Sequence, residues 1–175
     1  MFRYFKEKKQ RKSLAKTRYD KAVQIARSPV FYNKFHVPDT IDGRFEAISL
    51  HVYIVIHRLT SQGKKHEAQA LFDAFFVNMD RSLREIGIGD LGVPKHMKRM
   101  MQGFNGRCQH YEAALLDKDK LIDALSRNLY GTVDHKPSVA LLSTLADYIQ
   151  IACQNQDIDA PFPLEILEEE ERIRA

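Results

Sequence analysis

The sequence has no long apolar segment and only two cysteines. Its longest unbroken apolar run extends from Val52 to Ile56, whereas a transmembrane helix needs about 20 such residues. The opening segment, MFRYFKEKKQRKS, lacks the apolar centre of a secretory signal. Cys108 and Cys153 lie far apart without CxxC spacing, so we expect free, buried thiols in a reducing compartment. These absences favour a cytoplasmic protein.

Motifs for catalysis and for metal or nucleotide binding are also lacking. The seven histidines form no HxxxH motif and have no zinc-type spacing with cysteine. Neither GxSxG nor a P-loop occurs. Gly87, Gly89 and Gly92 form a GxGxxG, but they follow a helical pattern instead of a strand, which argues against dinucleotide binding. We therefore expect no enzyme, no cofactor and no metal site.

Helical periodicity is the main positive signal. The 175 residues, 44% hydrophobic, are typical of one globular domain. The segment from about residue 40 to 60 is apolar on several faces, so we expect a central helix there. No alternating strand pattern occurs, and the predicted fold class is all-α with six or seven helices. The predicted helices cover residues 13–27, 29–35, 39–60, 67–85, 94–116, 119–130 and 137–155.

The two ends of the chain carry opposite charge. Residues 1–12, the basic arm, hold six lysines and arginines against Glu7 alone. Residues 156–175 form an acidic tail, and 13–155 the helical domain. Cations interleaved with aromatics suit lipid headgroups or RNA phosphates, and a solvated tail that aids solubility is the alternative. The arm residues concerned are Phe2, Arg3, Tyr4, Phe5, Lys6, Lys8 and Lys9.

The stretch VPDTIDGRFE, residues 37–46, predicts the start of the central helix. Asp39 is the expected N-cap and Asp42 lies in the first turn, where both carboxylates interact favourably with the helix dipole. Arg44 does not suit a calcium loop. Gly43 is unfavourable within a helix by about 1 kcal/mol relative to alanine. We infer that another segment approaches Gly43 closely, either for packing or for docking.

A second charged segment, residues 79–100, surrounds the glycines. Asp80 and Arg84 can pair at i,i+4 spacing. This cluster is either a docking surface, a solvated face, or a buried pair of Arg84 with Asp42 or Asp90. Beyond the loop lies a basic stretch without acids, which is by default a solvated helix face and alternatively a docking surface for an acidic partner. Its cations are Lys95, Lys98, Arg99 and Arg107.

Three strings resemble the ubiquinol–cytochrome c chaperone family: FYNKFHVPDTIDGRFEAISLHVYIVIHRL (31–59), LFDAFFVNMDRSLREIGIGDLGVPKHMKRM (71–100) and ALSRNLYG (124–131). That family is described as assembly factors for the cytochrome bc1 complex, respiratory complex III. The resemblance therefore implies a chaperone without catalytic residues that binds newly made cytochrome b or another bc1 subunit. It also implies a small helper protein and the ribosome as partners, with no role for DNA.

The absence of a long N-terminal extension favours a bacterial member of that family, cytoplasmic or peripheral on the inner membrane. The candidate partner-binding residues are Asp39, Asp42, Gly43, Arg44, Asp80, Arg84, Glu85, Gly89, Asp90 and Lys98.

Two further hypotheses concern the surfaces. A chaperone of a membrane protein needs an apolar face, and adaptable aromatic and methionine side chains could supply it, with core packing as the alternative. A ribosome- or RNA-associated module acting through the basic surfaces is the alternative function. The apolar candidates are Phe31, Tyr32, Phe35, Met97, Met100 and Met101.

Overall fold

The computed structural model describes residues 2–134 and 136–168, without the side chains of residues 2–4. These residues form helices and connecting segments with no strand, which confirms the all-α prediction. Seven of the eight helices were predicted, and the four-residue α8 was missed. The helices are α1 (Phe2–Ala26), α2 (Pro29–Asn33), α3 (Ile41–Ser61), α4 (Lys65–Glu85), α5 (Val93–Ala114), α6 (Lys118–Asn128), α7 (Val139–Gln154) and α8 (Glu165–Glu168).

Helix α3 is the centre of the fold. It packs against α1, α4, α5 and α7. Val52 and Leu59 on one face and Ile54 on the opposite face are all 0% exposed. A helix that is apolar on several faces can bury them only when other helices surround it. The prediction of a central helix is confirmed.

Two glycines end the helices before the tight connections. Gly63 follows α3 with φ 72° and Gly87 follows α4 with φ 89°. Glycine adopts this left-handed conformation without the steric cost of a Cβ atom, and it is common just after a helix. Residues 62–64 join α3 to α4, and residues 86–92 join α4 to α5. The beginnings of α3 and α5 therefore lie at the same end of the helical bundle as the end of α4. We call this region the bundle end.

The two terminal segments are more structured than the sequence indicated. The basic arm continues α1, so the helix predicted from Ser13 begins at Phe2. The side chains of Phe2, Arg3 and Tyr4 lie outside the described residues. Of the predicted acidic tail, residues 156–168 pack onto the core, where Ile158 and Leu167 are 6% and 0% exposed. The remaining tail residues, 169–175, lie outside the described residues.

Candidate functional site

The first charged cluster lies at the start of α3. Thr40 caps this helix, with its side-chain oxygen accepting a hydrogen bond from the Gly43 N–H at 3.1 Å. The prediction of Asp39 as N-cap was therefore wrong. Asp39 instead accepts a hydrogen bond from Arg44 Nε at 2.6 Å, and this bond lowers the pKa of Asp39 from its ordinary value of 3.8. Both side chains are about 60% exposed, so a partner can reach them.

Gly43 has a packing role. A Cβ atom built on it would lie 2.0 Å from the carbonyl oxygen of Pro38. Gly43 is also buried. The glycine thus allows the chain that precedes α3 to pass directly over the first turn. Of the two explanations for this glycine, the structure supports packing.

The second cluster is an ion triad centred on Arg84. Its Nε donates to Asp80 Oδ2 at 2.8 Å, which confirms the predicted i,i+4 pair, and its Nη1 bonds Asp90. The interpretation as a buried pair was wrong, since the side chains of Arg84 and Asp90 are 47% and 90% exposed. Hydrogen bonding, first to Asp80, raises the pKa of Arg84. The triad ties the 86–92 loop to the last turn of α4.

The loop itself presents apolar side chains to solvent. Ile86 is 56% exposed and Leu91 is 99% exposed. The carbonyl of Gly89 accepts hydrogen bonds from the N–H groups of Gly92 and Val93 at 2.8 and 3.2 Å, which starts α5. The GxGxxG glycines therefore shape a connection between two helices. Sequence reasoning missed Leu91, because a short loop has no periodicity, and it counted Ile86 with the apolar stripe of α4, although Ile86 is exposed.

Arg27, the residue after α1, lies near the end of α4. It lines a depression of about 340 Å³ with Glu85 of α4. Arg27 also acts electrostatically on Tyr32, and Tyr32 is likewise influenced by Arg44 and Asp39. Arg27 therefore lies between Glu85 at the end of α4 and the charged residues at the start of α3. Asp42 is placed differently, close enough to Glu46 to influence its pKa.

Arg107 does not belong to the predicted basic surface. Its Nε and Nη2 donate to the two carboxylate oxygens of Glu46, and its guanidinium lies 5.8 Å from the centre of the Phe45 ring. The Glu46 side chain is only 9% exposed. Burial raises the pKa of Glu46 even though Arg107 acts in the opposite direction. The cations left exposed on α5 are Lys95, Lys98 and Arg99.

Most of the proposed apolar face is core. Phe31 and Phe35 are 1% and 0% exposed, and Tyr32 donates its hydroxyl to the carbonyl of Ala26 at 2.9 Å. Met97 and Met100 pack, half-buried, against the core. Core packing, the alternative to client binding, is confirmed for Phe31 and Phe35. The sequence could not decide between the two, because an isolated helical stripe looks the same whether a neighbouring helix or a partner covers it. Met101 stays 37% exposed.

A polar site between α3 and α5 was not predicted. Glu112 accepts hydrogen bonds from Tyr53 Oη at 3.1 Å and His57 Nδ1 at 2.9 Å.

Both cysteines are free, as predicted, and burial raises the pKa of Cys108 and of Cys153 to about 12. The thiols are thus protonated and unsuited to nucleophilic attack at neutral pH.

Within residues 2–134 and 136–168, no group of three or more histidine, cysteine, aspartate or glutamate side chains is placed to hold a metal ion. Over the same part of the chain, no helix is both long enough and apolar enough to cross a membrane.

Comparisons with known proteins point to one family. The family model described as ubiquinol-cytochrome C chaperone matches residues 33–155, which include both charged clusters but not the basic arm. The ubiquinol-cytochrome-c reductase complex assembly factor 1 of Xenopus laevis is 23% identical over 130 residues, which are 73% of this chain and 64% of that protein. The chain therefore spans less than two thirds of that relative.

A solved structure shares the fold. The crystal structure of the Cbp3 homolog from Brucella abortus is 34% identical in sequence and superposes with a TM-score of 0.75. The similarity covers 92% of this chain and 95% of that one.

Proposed function

Because the chain belongs to the ubiquinol-cytochrome C chaperone family, we propose that it is an assembly chaperone of respiratory complex III that binds newly made cytochrome b. The Xenopus laevis relative is named as an assembly factor of this complex. In this proposal the chain acts by binding and performs no catalysis.

The exposed apolar loop of the bundle end is the observation that supports client binding. A newly made membrane protein exposes apolar segments that water does not solvate, and its chaperone must cover them. Exposed apolar patches on soluble domains mark such interaction sites. Ile86 and Leu91 supply apolar surface, and the Arg84 triad holds their loop on α4. We assign the partner-binding role to this loop and the charged residues beside it.

The basic arm provides a means of staying close to the membrane. Lys6, Lys8 and Lys9 are exposed along the first turns of α1. Each cation near an anionic membrane surface contributes about 1 kcal/mol of attraction. Three such residues would hold the chaperone at the surface reversibly, where cytochrome b is inserted. This assigns the chain a peripheral position on the membrane that contains complex III.

The test compares two equally exposed leucines. Leu91 lies at the bundle end and is 99% exposed, whereas Leu116 lies between α5 and α6 and is 93% exposed. In respiring cells that depend on this chain, tagged protein is recovered after a brief radioactive pulse, and cytochrome b is quantified in the recovered material. We expect Leu91→Asp to lose most of the bound cytochrome b and Leu116→Asp to retain it.

Melting temperatures separate a loss of binding from a loss of folding. Both substitutions place a charge on a solvated surface, so neither should lower the melting temperature. Equal recovery of cytochrome b by the two variants, or none by the unmodified chain, would refute the proposed contact.

A ribosome- or RNA-associated role is the second candidate, and the exposed cations of α5 favour it. Lys95, Lys98 and Arg99 have no acid among their neighbours in sequence. If they contact RNA phosphates, the logarithm of the binding constant should fall with the logarithm of salt concentration by nearly one unit of slope per contact. Lys98→Glu should then reduce the slope, while cytochrome b recovery stays unchanged.

A further inference from the structure

The structure contains a groove between α1 and α4, apart from the loop to which the proposed function assigns client binding. Its floor is a stripe of Ala70, Ala74 and Val77, which share one face of α4 because they are spaced i, i+4, i+7. Val77 is 59% exposed. The groove holds about 400 Å³. This stripe differs from the face that α4 buries in the core, which includes Leu71 and Phe75.

One wall of the groove is positively charged. Lys8, Arg11, Lys12 and Lys16 of α1 line it. Their spacing of three and four residues places them on one helical face, over about 12 Å at the α-helical rise of 1.5 Å per residue. Lys16 is engaged with Asp20 at 2.6 Å. An occupant therefore meets small apolar side chains below and a row of cations beside it.

We propose that this groove binds an acidic amphipathic helix of a partner protein. Alanines on the floor allow another helix to approach closely, and its apolar stripe would cover Val77. Carboxylates on one flank of that helix would face Lys8 and Lys12. The length of the basic wall corresponds to about two turns of the bound helix.

The shape of the groove and the charges on its α4 side favour a protein helix as the occupant over a lipid surface. A bilayer presents a flat array of anions, whereas the apolar floor here is recessed beside the α1 wall. Asp73 and Arg81 of α4 also line the groove, so this side carries one charge of each sign and does not match a uniform array of lipid phosphates. A protein helix can place a cation or a neutral side chain opposite Asp73. The groove is a different surface from the bundle end, although its wall includes Lys8, which the proposed function also places at the membrane.

A designed peptide tests the proposal on the purified full chain. The probe is a fluorescent 18-residue helical peptide with leucines on one face and glutamates on the flanks, and its counterpart carries lysines instead. We expect saturable binding of the acidic peptide only, measured by fluorescence anisotropy. Val77→Asp and Lys12→Glu should each weaken it at least tenfold. The matched control is Lys120→Glu, because Lys120 is, like Lys12, an exposed lysine on a helix but does not line the groove.

Each other outcome overturns the proposal. If the acidic peptide binds but Val77→Asp has no effect, the peptide binds through nonspecific electrostatic attraction and not in the groove. If vesicles containing phosphatidylglycerol displace the peptide and themselves lose binding on Val77→Asp, the groove is a lipid-headgroup site. If neither peptide binds, the groove has no such partner. Melting temperatures of the variants, expected to be unchanged at these exposed positions, show that lost binding is not lost folding.

Discussion

Removal of Arg107 should destabilise the fold, even though the sequence presents this residue as one of a row of surface cations. In the structure it is the partner of Glu46, and the side chains of Glu46 and Arg107 are 9% and 26% exposed. Breaking a buried ion pair by deleting one partner typically costs ~3–5 kcal/mol, because it leaves the other charge buried and unpaired. Since Arg107 retains some exposure, we expect about 3 kcal/mol for Arg107→Ala.

The loss of stability in Arg107→Ala should also depend on pH, which is a second test of the buried pair. Burial raises the pKa of Glu46 above its ordinary value of 4.5. Between those two pKa values the folded state binds more protons than the unfolded state, so stability falls as the pH rises through the interval. Without Arg107 the pKa of Glu46 should rise further. The deficit of Arg107→Ala should therefore be largest at neutral pH and shrink on acidification, as Glu46 becomes neutral.

Urea unfolding followed by circular dichroism at about pH 7.5 and about pH 5 measures both effects. Arg99→Ala is the matched control, because Arg99 is an exposed arginine of the same helix, and it should change stability by no more than about 0.5 kcal/mol. A second check replaces Glu46 and Arg107 together by leucine, which should recover much of the loss because no charge is left unpaired. The reasoning is refuted if Arg107→Ala behaves like Arg99→Ala, or if its deficit grows in acid.

Three further predictions concern the ends of α3, α1 and α4. Gly43→Ala should destabilise the protein by ~1–3 kcal/mol, as overpacking does, despite the higher helix propensity of alanine; a melting temperature at or above the original would contradict the contact with Pro38. Removal of residues 1–12 should change stability by no more than about 0.5 kcal/mol but weaken sedimentation with anionic liposomes; unchanged sedimentation would reduce the arm to a solubility segment. Arg84→Glu should leave soluble protein level and melting temperature unchanged while assembled cytochrome b falls. Lys118→Glu, which breaks a similarly exposed pair with Asp147, is its control, and equal cytochrome b content in both strains would argue against the triad as a docking surface.

Local patterns determined what the sequence could predict. The helices follow from apolar residues repeating every three or four positions, and α3 was identifiable as central because its apolar residues surround the whole helix. The Asp80–Arg84 pair was predictable for the same reason, since four residues on a helix bring two side chains together. Gly43 was also informative, because a glycine inside a helix is unfavourable unless something needs the space.

Contacts between distant segments account for what could not be predicted. Glu46 and Arg107 are 61 positions apart, so nothing in the basic stretch shows that one of its arginines is bound in the core. Arg58 is likewise buried, and it donates to the carbonyl of Ala152 at 2.6 Å and more weakly to that of Ile158. The first bond holds α7 to α3, and the second fixes the segment after α7, although the acidic composition of that segment suggested a free tail.

The burial of the aromatic candidates has the same origin. A stripe of Phe31 and Phe35 is equally consistent with a core and with a groove until the neighbouring helices are known. Leu91 was overlooked for the opposite reason, because a single leucine between glycines has no periodic context. The exposed surface of the bundle end therefore depends on the tertiary arrangement of α3, α4 and α5.

The most direct test of the central claim is the amount of assembled complex III in cells that depend on this chain. Membranes are prepared from cells with the original chain, with no chain, with Leu91→Asp and with Leu116→Asp, and the cytochrome b absorbance and ubiquinol–cytochrome c reductase activity are measured. We predict that both quantities are low without the chain and with Leu91→Asp, and normal with Leu116→Asp, while all variants accumulate to the same level. Normal complex III in cells that lack the chain would contradict the account.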